Sequence, residues 1–207
     1  MLEIYGVARS RAFRCLWALE ELGLAYKHHS IEWTTDAKQP EYVKLNPNAR
    51  VPCLRDGELV LFESLAINLY LGRRYGLGTL MPTDIQQEAR VLQWTLWSTN
   101  EVEPHLSTVN HHRTNLPEAD RDPAIAAAAE AKLAAPLAVL DAALAAHGGY
   151  LLGADFTLAD LNVASVLSTA IVARFDLSPH PNVSAWFGRC FQRQAAQRVI
   201  ALFRSGK

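Results

Sequence analysis

The stretch YGVARSRAFRCLWALEELGL, from Tyr5 to Leu24, decides the fold of the first part of the chain. Its apolar pattern predicts the end of a strand followed by a helix from Ser10 to Gly23. At the junction, Arg9, Ser10 and Arg11 stand where a new helix leaves its first backbone N–H groups unpaired. Either Ser10 simply caps the helix beside solvated arginines, or the junction binds an anion or activates a nucleophile.

The elements on either side of this stretch have a βαβαββα order. Strands are predicted from Leu2 to Gly6 and from Ala25 to Glu32, and Asp56-Gly57 between two short apolar runs indicates a β-hairpin. Apolar residues at helical spacing predict a further helix from Glu63 to Tyr75. We therefore predict an α/β domain followed by an all-α domain. The predicted limits are 1–77 for the first domain, 78–83 for a linker and 84–207 for the second domain.

The helical half contains three distinctive segments. One helix is predicted from Asp84 to His112 and another from Ala124 to Ala146. Pro136 lies inside the second of these, and we expect a kink there because proline cannot donate a backbone hydrogen bond. In FTLADL, Thr157 can cap a helix while Asp160, three residues later, reaches back to it. This last pattern predicts a helix start with a specific mechanism.

The composition is that of an ordinary globular protein. The formal net charge of −1 over 207 residues gives no general attraction for nucleic acid. The beginning MLEIYGV shows no secretory signal, and no apolar run reaches the roughly 20 residues that span a bilayer, so we expect a cytoplasmic protein with no membrane partner. Cys15, Cys53 and Cys190 form no CxxC pair, which argues against a disulfide framework or a zinc site.

Four stretches together are similar to the cytosolic glutathione transferase family over essentially the whole chain. They are YGVARSRAFRCLWALEELGL, NPNARVPCL, LFESLAINLYLGRRYG and FTLADLNVAS, in that order. The resemblance, to a bacterial, serine-type or unclassified member, implies a thioredoxin-like N-terminal domain that binds glutathione. It also implies a helical domain that completes the pocket for an electrophilic small molecule, and a homodimer.

The resemblance assigns residues to the two charged ends of glutathione. It implies a cis peptide between Val51 and Pro52, whose backbone pairs with the cysteinyl part of the tripeptide. Glu63 and Ser64 open a helix, where free N–H groups suit the γ-glutamyl carboxylate, although a simple helix cap explains the same residue types. Arg50 is a candidate for the glycine carboxylate.

Lys38 is a second candidate for that carboxylate, because the family often has a basic side chain in the loop before the second helix. For the thiol, whose ordinary pKa is near 8.5, Ser10 is the first candidate to stabilise the thiolate. Aligning the first helix with the family, however, puts Arg9 at the usual activating position and Ser10 one residue later. Arg9, through its charge, and Tyr5, in the first strand, are the other candidates. Arg14 is expected at the surface or at a domain interface.

The first helix of the second domain offers candidates for the acceptor pocket. Trp97, Asn100 and His105 are expected to contact the electrophile, although tryptophans on one helix face are usually part of a core. Adjacent histidines at His111 and His112 point in different directions on a helix and lack a suitably spaced partner. We therefore predict no metal site.

The expected function is conjugation of the thiolate of reduced glutathione to an electrophilic, largely apolar molecule. Two other functions remain open at this point. One is a binding or assembly protein that kept the fold without the chemistry, which Arg9 at the activating position favours. The other is a glutathione-dependent peroxidase or disulfide reductase that acts through bound glutathione alone, since the junction has no cysteine.

Overall fold

A small mixed sheet organises the first part of the chain, as seen in a computed structural model that describes residues 1–206. Within those residues the sheet has four strands in the order β2-β1-β3-β4. The strands are β1 (Leu2–Tyr5), β2 (Tyr26–His29), β3 (Cys53–Asp56) and β4 (Leu59–Phe62). β1 runs parallel to β2 and antiparallel to β3, and β3 pairs with β4 in the predicted hairpin. The α-helices over the described residues are α1 (Ala12–Glu21), α2 (Pro40–Val43), α3 (Ser64–Tyr75), α4 (Ile85–Trp97), α5 (Glu103–Asn110), α6 (Pro123–Ala131), α7 (Ala134–His147), α8 (Leu158–Leu167), α9 (Thr169–Ala173), α10 (Pro181–Gln192) and α11 (Gln194–Ser205).

The chain divides into two compact units. The first contains Met1–Thr83 together with the chain from Phe191 onward, and the second contains Asp84–Cys190. In the first unit α11 packs against α1, where the Arg193 guanidinium binds the Glu21 carboxylate through two hydrogen bonds of 2.7 and 2.8 Å. The limits predicted from the sequence, 1–77 and 84–207, stay a prediction. Grouping by contacts assigns the last helix to the first unit.

The centre of the first unit is α1. Its residues from Ala12 to Leu19 are buried, because α3 and α11 both contact it. Trp17 is fully buried and its ring lies 5.1 Å from that of Phe191, centroid to centroid. Burying large aromatic side chains is the main source of stability for a core of this kind. The helix that comes after the β1–α1 junction is therefore the element around which this unit packs.

The segment predicted as one helix from Asp84 to His112 is helical from Ile85 onward, but its α-helical hydrogen-bond pattern is interrupted, which the sequence did not indicate. A π-helical turn over Ser98–Val102 separates α4 from α5, and a second π-helical turn over His111–Asn115 comes after α5. Pro104 lies in the first turn of α5 and has no N–H to donate to the carbonyl four residues earlier. The first interruption therefore lies where the regular hydrogen-bond ladder cannot continue.

The alanine-rich helix is likewise divided, between α6 and α7 at Lys132 and Leu133. Pro136 removes the hydrogen bond that Lys132 would accept, so the break occurs where the kink was expected. By length and composition alone, the segment Pro123–His147 is long and apolar enough to cross a membrane. The expectation from the sequence concerned an uninterrupted apolar run, and Glu130, Lys132 and Asp141 lie within this segment.

The FTLADL pattern forms the predicted cap at the start of α8. The Asp160 carboxylate accepts hydrogen bonds from the Thr157 backbone N–H at 3.0 Å and from the Leu151 backbone N–H at 2.8 Å. It also accepts from the Trp186 indole N–H at 2.9 Å. Burial raises the pKa of Asp160 while these bonds act in the opposite direction. One buried carboxylate thus joins three separate segments of the second unit.

Replacing Asp160 by alanine should lower the free energy of unfolding by about 3 to 5 kcal/mol, because several buried donors lose their acceptor and each costs about 1–3 kcal/mol. Urea denaturation monitored by tryptophan fluorescence measures the change. Asp155→Ala, at an exposed carboxylate five residues earlier in the chain, is the matched control and should stay close to the parent protein. Equal stability of the two variants would contradict the role given to Asp160.

Candidate functional site

The β1–α1 junction holds Ser10 in a tight turn. The Ser10 hydroxyl donates to the Val7 carbonyl at 2.7 Å and accepts from the Ala12 backbone N–H at 3.1 Å. Both contacts are those of a side chain that closes a turn at a helix start. To donate to a ligand, the hydroxyl hydrogen must first rotate away from Val7.

Arg9 lies at the surface beside this turn. Its Nη2 forms an ion pair of 2.8 Å with the Glu32 carboxylate, and 47% of its side chain is exposed. Exposed ion pairs of this kind contribute little to stability, so the guanidinium can exchange Glu32 for another anion at small cost. The Arg9 guanidinium is therefore not held in a position that would direct it to one particular atom of a ligand.

Tyr5 is buried against the sheet. Its hydroxyl donates to the Glu3 carboxylate at 3.1 Å, and its ring stacks on His29 with centroids 4.3 Å apart. The ring also belongs to a core cluster with Tyr42 and Cys53. Burial, and then the hydrogen bond to Glu3, raises the pKa of Tyr5. Tyr5 therefore holds β1 and β2 together, and its proton is already committed to Glu3.

The loop before β3 is fixed by several polar contacts. The Val51–Pro52 peptide is cis, as the resemblance implied. The Arg50 carbonyl accepts from the Tyr42 hydroxyl at 2.9 Å. The Lys38 ammonium donates to the Ala49 carbonyl at 2.7 Å. Lys38, in the 3₁₀ turn Asp36–Lys38 before α2, thus braces the loop that carries Arg50, and the exposed Arg50 side chain extends from that loop.

The start of α3 has the geometry of an anion site. Glu63 precedes the helix with φ of 72° and ψ of 107°, a backbone conformation that residues other than glycine rarely adopt. Ser64, which is 4% exposed, is the first residue of the helix. Its backbone N–H and hydroxyl lie at a helix N-terminus, where partial positive charge favours an anion.

Arg14 does not lie where the sequence led us to expect it. It was expected at a surface or domain interface, but it is 5% exposed in the interior of the first unit, where its Nη1 donates to the Ser64 hydroxyl oxygen at 3.3 Å. The Asn68 amide also donates to the Arg14 carbonyl at 3.2 Å, so α1 and α3 are joined by polar as well as apolar contacts.

This contact makes the Ser64 hydroxyl oxygen an acceptor. Because the Ser64 oxygen accepts from Arg14, its own hydrogen is available for donation to an anion. The buried guanidinium adds a full positive charge behind the partial charge of the helix start. The signal in the sequence was the place of Arg14 between Phe13 and Cys15, within a run of buried apolar residues.

The second unit contains the candidates for the acceptor pocket. Trp97 is half-buried at the end of α4 and packs edge-on against Trp94 with ring centroids 5.0 Å apart. Asn100 is exposed within the first π-helical turn, and His105 is half-buried in α5. The π-helical turn over Ser98–Val102 lies between Trp97 and His105, and its extra residue rotates the residues after it about the helix axis.

The thiols of the protein are not suited to exchange chemistry. Cys15, Cys53 and Cys190 are all buried. Burial raises the pKa of Cys53 to about 11 and that of Cys15 further still. Since the thiolate is the reactive form, burial and a raised pKa disfavour reaction of Cys15 and Cys53 near neutral pH. Over residues 1–206 no group of three or more His, Cys, Asp or Glu side chains is placed to hold a metal ion.

Family models and curated relatives both assign the chain to the same protein family. The protein-family model for the glutathione S-transferase N-terminal domain matches residues 2–73. The family model for the glutathione S-transferase C-terminal domain matches residues 123–189. Glutathione S-transferase 3 of Zea mays is 33% identical over 97% of this chain and 93% of its own length. Glutathione S-transferase GstB of Escherichia coli K12 is 28% identical over 91% of this chain and 92% of its own length.

Similarity to solved structures supports the same family assignment. A theta class glutathione S-transferase from Xanthomonas axonopodis pv. citri, crystallised with glutathione bound, superimposes with a TM-score of 0.88 at 34% identity, covering 96% of each chain. Glutathione S-transferase-I bound with lactoylglutathione has a TM-score of 0.87 at 32% identity over 97% of this chain and 99% of the other. These matches confirm the predicted thioredoxin-like domain with an all-α C-terminal domain. The chain belongs to the cytosolic glutathione S-transferase family and is a glutathione S-transferase.

Proposed function

We propose that the enzyme transfers reduced glutathione to an electrophilic, largely apolar small molecule. The observation that carries the binding half of this proposal is the start of α3, where the buried Arg14 guanidinium contacts the Ser64 hydroxyl. That arrangement is complementary to a carboxylate. Structures of relatives with glutathione or lactoylglutathione bound support the choice of ligand.

Glutathione then binds through both charged ends. Ser64 and the N-terminus of α3 bind the γ-glutamyl carboxylate, and the Glu63 carboxylate accepts from the γ-glutamyl ammonium. Arg50 and Lys38 face the glycine carboxylate. Between them the Val51 backbone, turned by the cis bond to Pro52, pairs with the cysteinyl residue in the manner of an added strand.

The chemical step needs the ionised thiol. Each unit by which its pKa falls requires about 1.4 kcal/mol of preferential stabilisation, and a hydrogen bond to a charged group supplies about 1.5–3 kcal/mol. We assign this hydrogen bond to Ser10, whose hydroxyl exchanges the Val7 carbonyl for the sulfur when glutathione is bound. Arg9 is the alternative, through its charge. Tyr5 is the weakest candidate, because its hydroxyl is bound to Glu3 and its pKa is raised.

The reaction balances without a further reagent. The sulfur forms a bond to the electrophilic carbon while a leaving group such as chloride departs with its electron pair, and the thiol proton passes to solvent. Trp97, Asn100 and His105 remain the proposed contacts of the acceptor, with the indole ring of Trp97 offering apolar surface.

The rival proposals are a glutathione-binding protein without conjugating activity and a peroxidase or reductase that uses bound glutathione. The first is supported by Arg9 and Ser10, because both side chains are engaged by other protein groups, Glu32 and the Val7 carbonyl. Calorimetry with reduced glutathione, combined with assays on chlorodinitrobenzene and on a hydroperoxide, separates the three. Binding with conjugation of chlorodinitrobenzene is the result that our proposal requires, and binding without any conjugation would refute it.

Ser10→Ala should lower kcat/KM for conjugation by about 10- to 100-fold near neutral pH, which corresponds to the loss of one hydrogen bond to the thiolate. The loss raises the pKa of the bound thiol, so the pH–rate profile should move to higher pH. Ser30→Ala, at an exposed hydroxyl in the same unit, is the control. If Ser10→Ala keeps the parent profile and Arg9→Gln loses activity, the thiolate is stabilised by Arg9 instead.

We further propose that the enzyme is a cytoplasmic homodimer. Ile85, Leu92 and Leu96 are 72%, 42% and 59% exposed on α4, at a spacing that places them along one face. A second copy would cover this apolar face, which is costly to leave in water. Cell fractionation tests the location, and recovery in the membrane fraction would contradict it.

Leu96→Glu should convert the dimer to a monomer, because dimerisation would bury the introduced charge. Sedimentation velocity reports the change directly. Arg90→Glu introduces a carboxylate at an exposed position on another face of α4 and should leave the dimer intact. A parent protein that sediments as a monomer would overturn the dimer proposal.

A further inference from the structure

A cavity lined by arginines lies within the second unit. Its volume is about 610 Å³, and Arg113, Thr114, Arg121, Ala173 and Arg174 line it. That volume is within the range of small-molecule sites, roughly 300–1,000 Å³. None of the residues to which we assign glutathione binding contributes to it.

Three different elements supply the arginines. Arg113 belongs to the π-helical turn over His111–Asn115, and Arg121 to the loop that leads into α6. Arg174 comes directly after α9 with φ of 51°, in the left-handed region. Arg113 joins two of these elements by donating to the Ala173 and Arg174 carbonyls, each at 3.3 Å.

The positive charge at the cavity is only partly compensated. The Glu130 carboxylate pairs with Arg113 and neutralises one guanidinium. Arg121 donates to the Leu116 and Thr114 carbonyls, each at 2.9 Å, which fixes its direction but leaves its charge. Over residues 1–206 the Arg174 side chain has no hydrogen-bond or ion-pair partner.

Another carboxylate, that of Asp122, lies next to Arg121 in the sequence, but over residues 1–206 it forms no ion pair with Arg121. Asp122 caps α6 by accepting from the backbone N–H groups of Ala124 and Ile125, at 2.8 and 3.3 Å. Among residues 1–206, Arg121 and Arg174 therefore line the cavity without an ion-pair partner. Both guanidinium groups are exposed, and an anion bound between them reduces the repulsion between their like charges.

We infer that this cavity binds a small polyanion whose charges are carboxylate or phosphate groups. Guanidinium groups recognise both through paired, charge-assisted hydrogen bonds, and at least two negative charges are needed to balance Arg121 and Arg174. The cavity admits a molecule of metabolite size. It is a second site, additional to the one proposed for glutathione, and does not depend on it.

Calorimetric titration of the full chain with pyrophosphate and, separately, with citrate tests the inference. At least one should bind with one molecule per chain, and added sodium chloride should weaken the binding. Tighter binding of pyrophosphate identifies phosphate as the preferred group, and tighter binding of citrate identifies carboxylate. Saturating glutathione should leave either affinity unchanged.

Arg174→Asn and Arg121→Gln should each weaken the binding about tenfold, the size of effect expected for one lost charge-assisted contact. Asparagine tolerates the left-handed conformation at position 174, and Arg174→Gly is a second variant that fits it. Arg90→Gln, at an exposed arginine on α4, is the control and should bind as the parent does.

Circular dichroism and conjugating activity, both unchanged, establish that the variants are folded. Absence of binding by both anions overturns the inference. So does binding that survives in folded Arg174→Asn and Arg121→Gln at the affinity of the parent protein.

Discussion

The hydrogen bond from the buried Arg14 guanidinium to the Ser64 hydroxyl is the interaction that sets up the proposed glutathione site. Burying a charge costs free energy unless polar partners satisfy it. Removing one of those partners destabilises the protein, because the charge is then left uncompensated. Arg14 is part of α1, and Ser64 opens α3. The contact therefore fixes the position of α3, whose N-terminus is proposed to bind the γ-glutamyl carboxylate.

The surrounding structure holds this pair in place. α1 is buried along most of its length between α3 and α11, so Arg14 cannot turn towards solvent without disturbing packing. Glu63 keeps an uncommon backbone conformation immediately before Ser64, as residues at ligand sites often do. Two features that are unfavourable by themselves, a buried charge and a strained residue, thus meet at the start of one helix. Such features persist where function uses them.

Local chemistry made several parts of the fold predictable. The Asp56-Gly57 hairpin, the Thr157 and Asp160 cap and the interruption near Pro136 each result from what a few neighbouring residues can do. The cis bond before Pro52 was predictable only from family resemblance. The π-helical turns were missed because apolar periodicity cannot show where one extra residue enters a helix.

The residues of the candidate site also divide into those that the local sequence could predict and those that it could not. Ser64 was found because helix starts have characteristic residues, whereas the burial of Arg14 depends on α3 and α11, which lie far from it in the sequence. Likewise, the pairing of Arg9 with Glu32 and of Tyr5 with Glu3 and His29 depends on how β1 and β2 are placed side by side. Side-chain partners set by tertiary contacts cannot be derived from spacing alone.

The most direct test of the buried Arg14 guanidinium is the dissociation constant of reduced glutathione for the variant Arg14→Met, measured by calorimetry. Methionine keeps much of the apolar stem and removes the charge, so we expect at least about tenfold weaker binding, with Arg14→Lys intermediate and Arg11→Met like the parent. Circular dichroism verifies that each variant is folded. A folded Arg14→Met that binds glutathione as tightly as the parent would contradict the proposal that Arg14 and Ser64 together form the anion site.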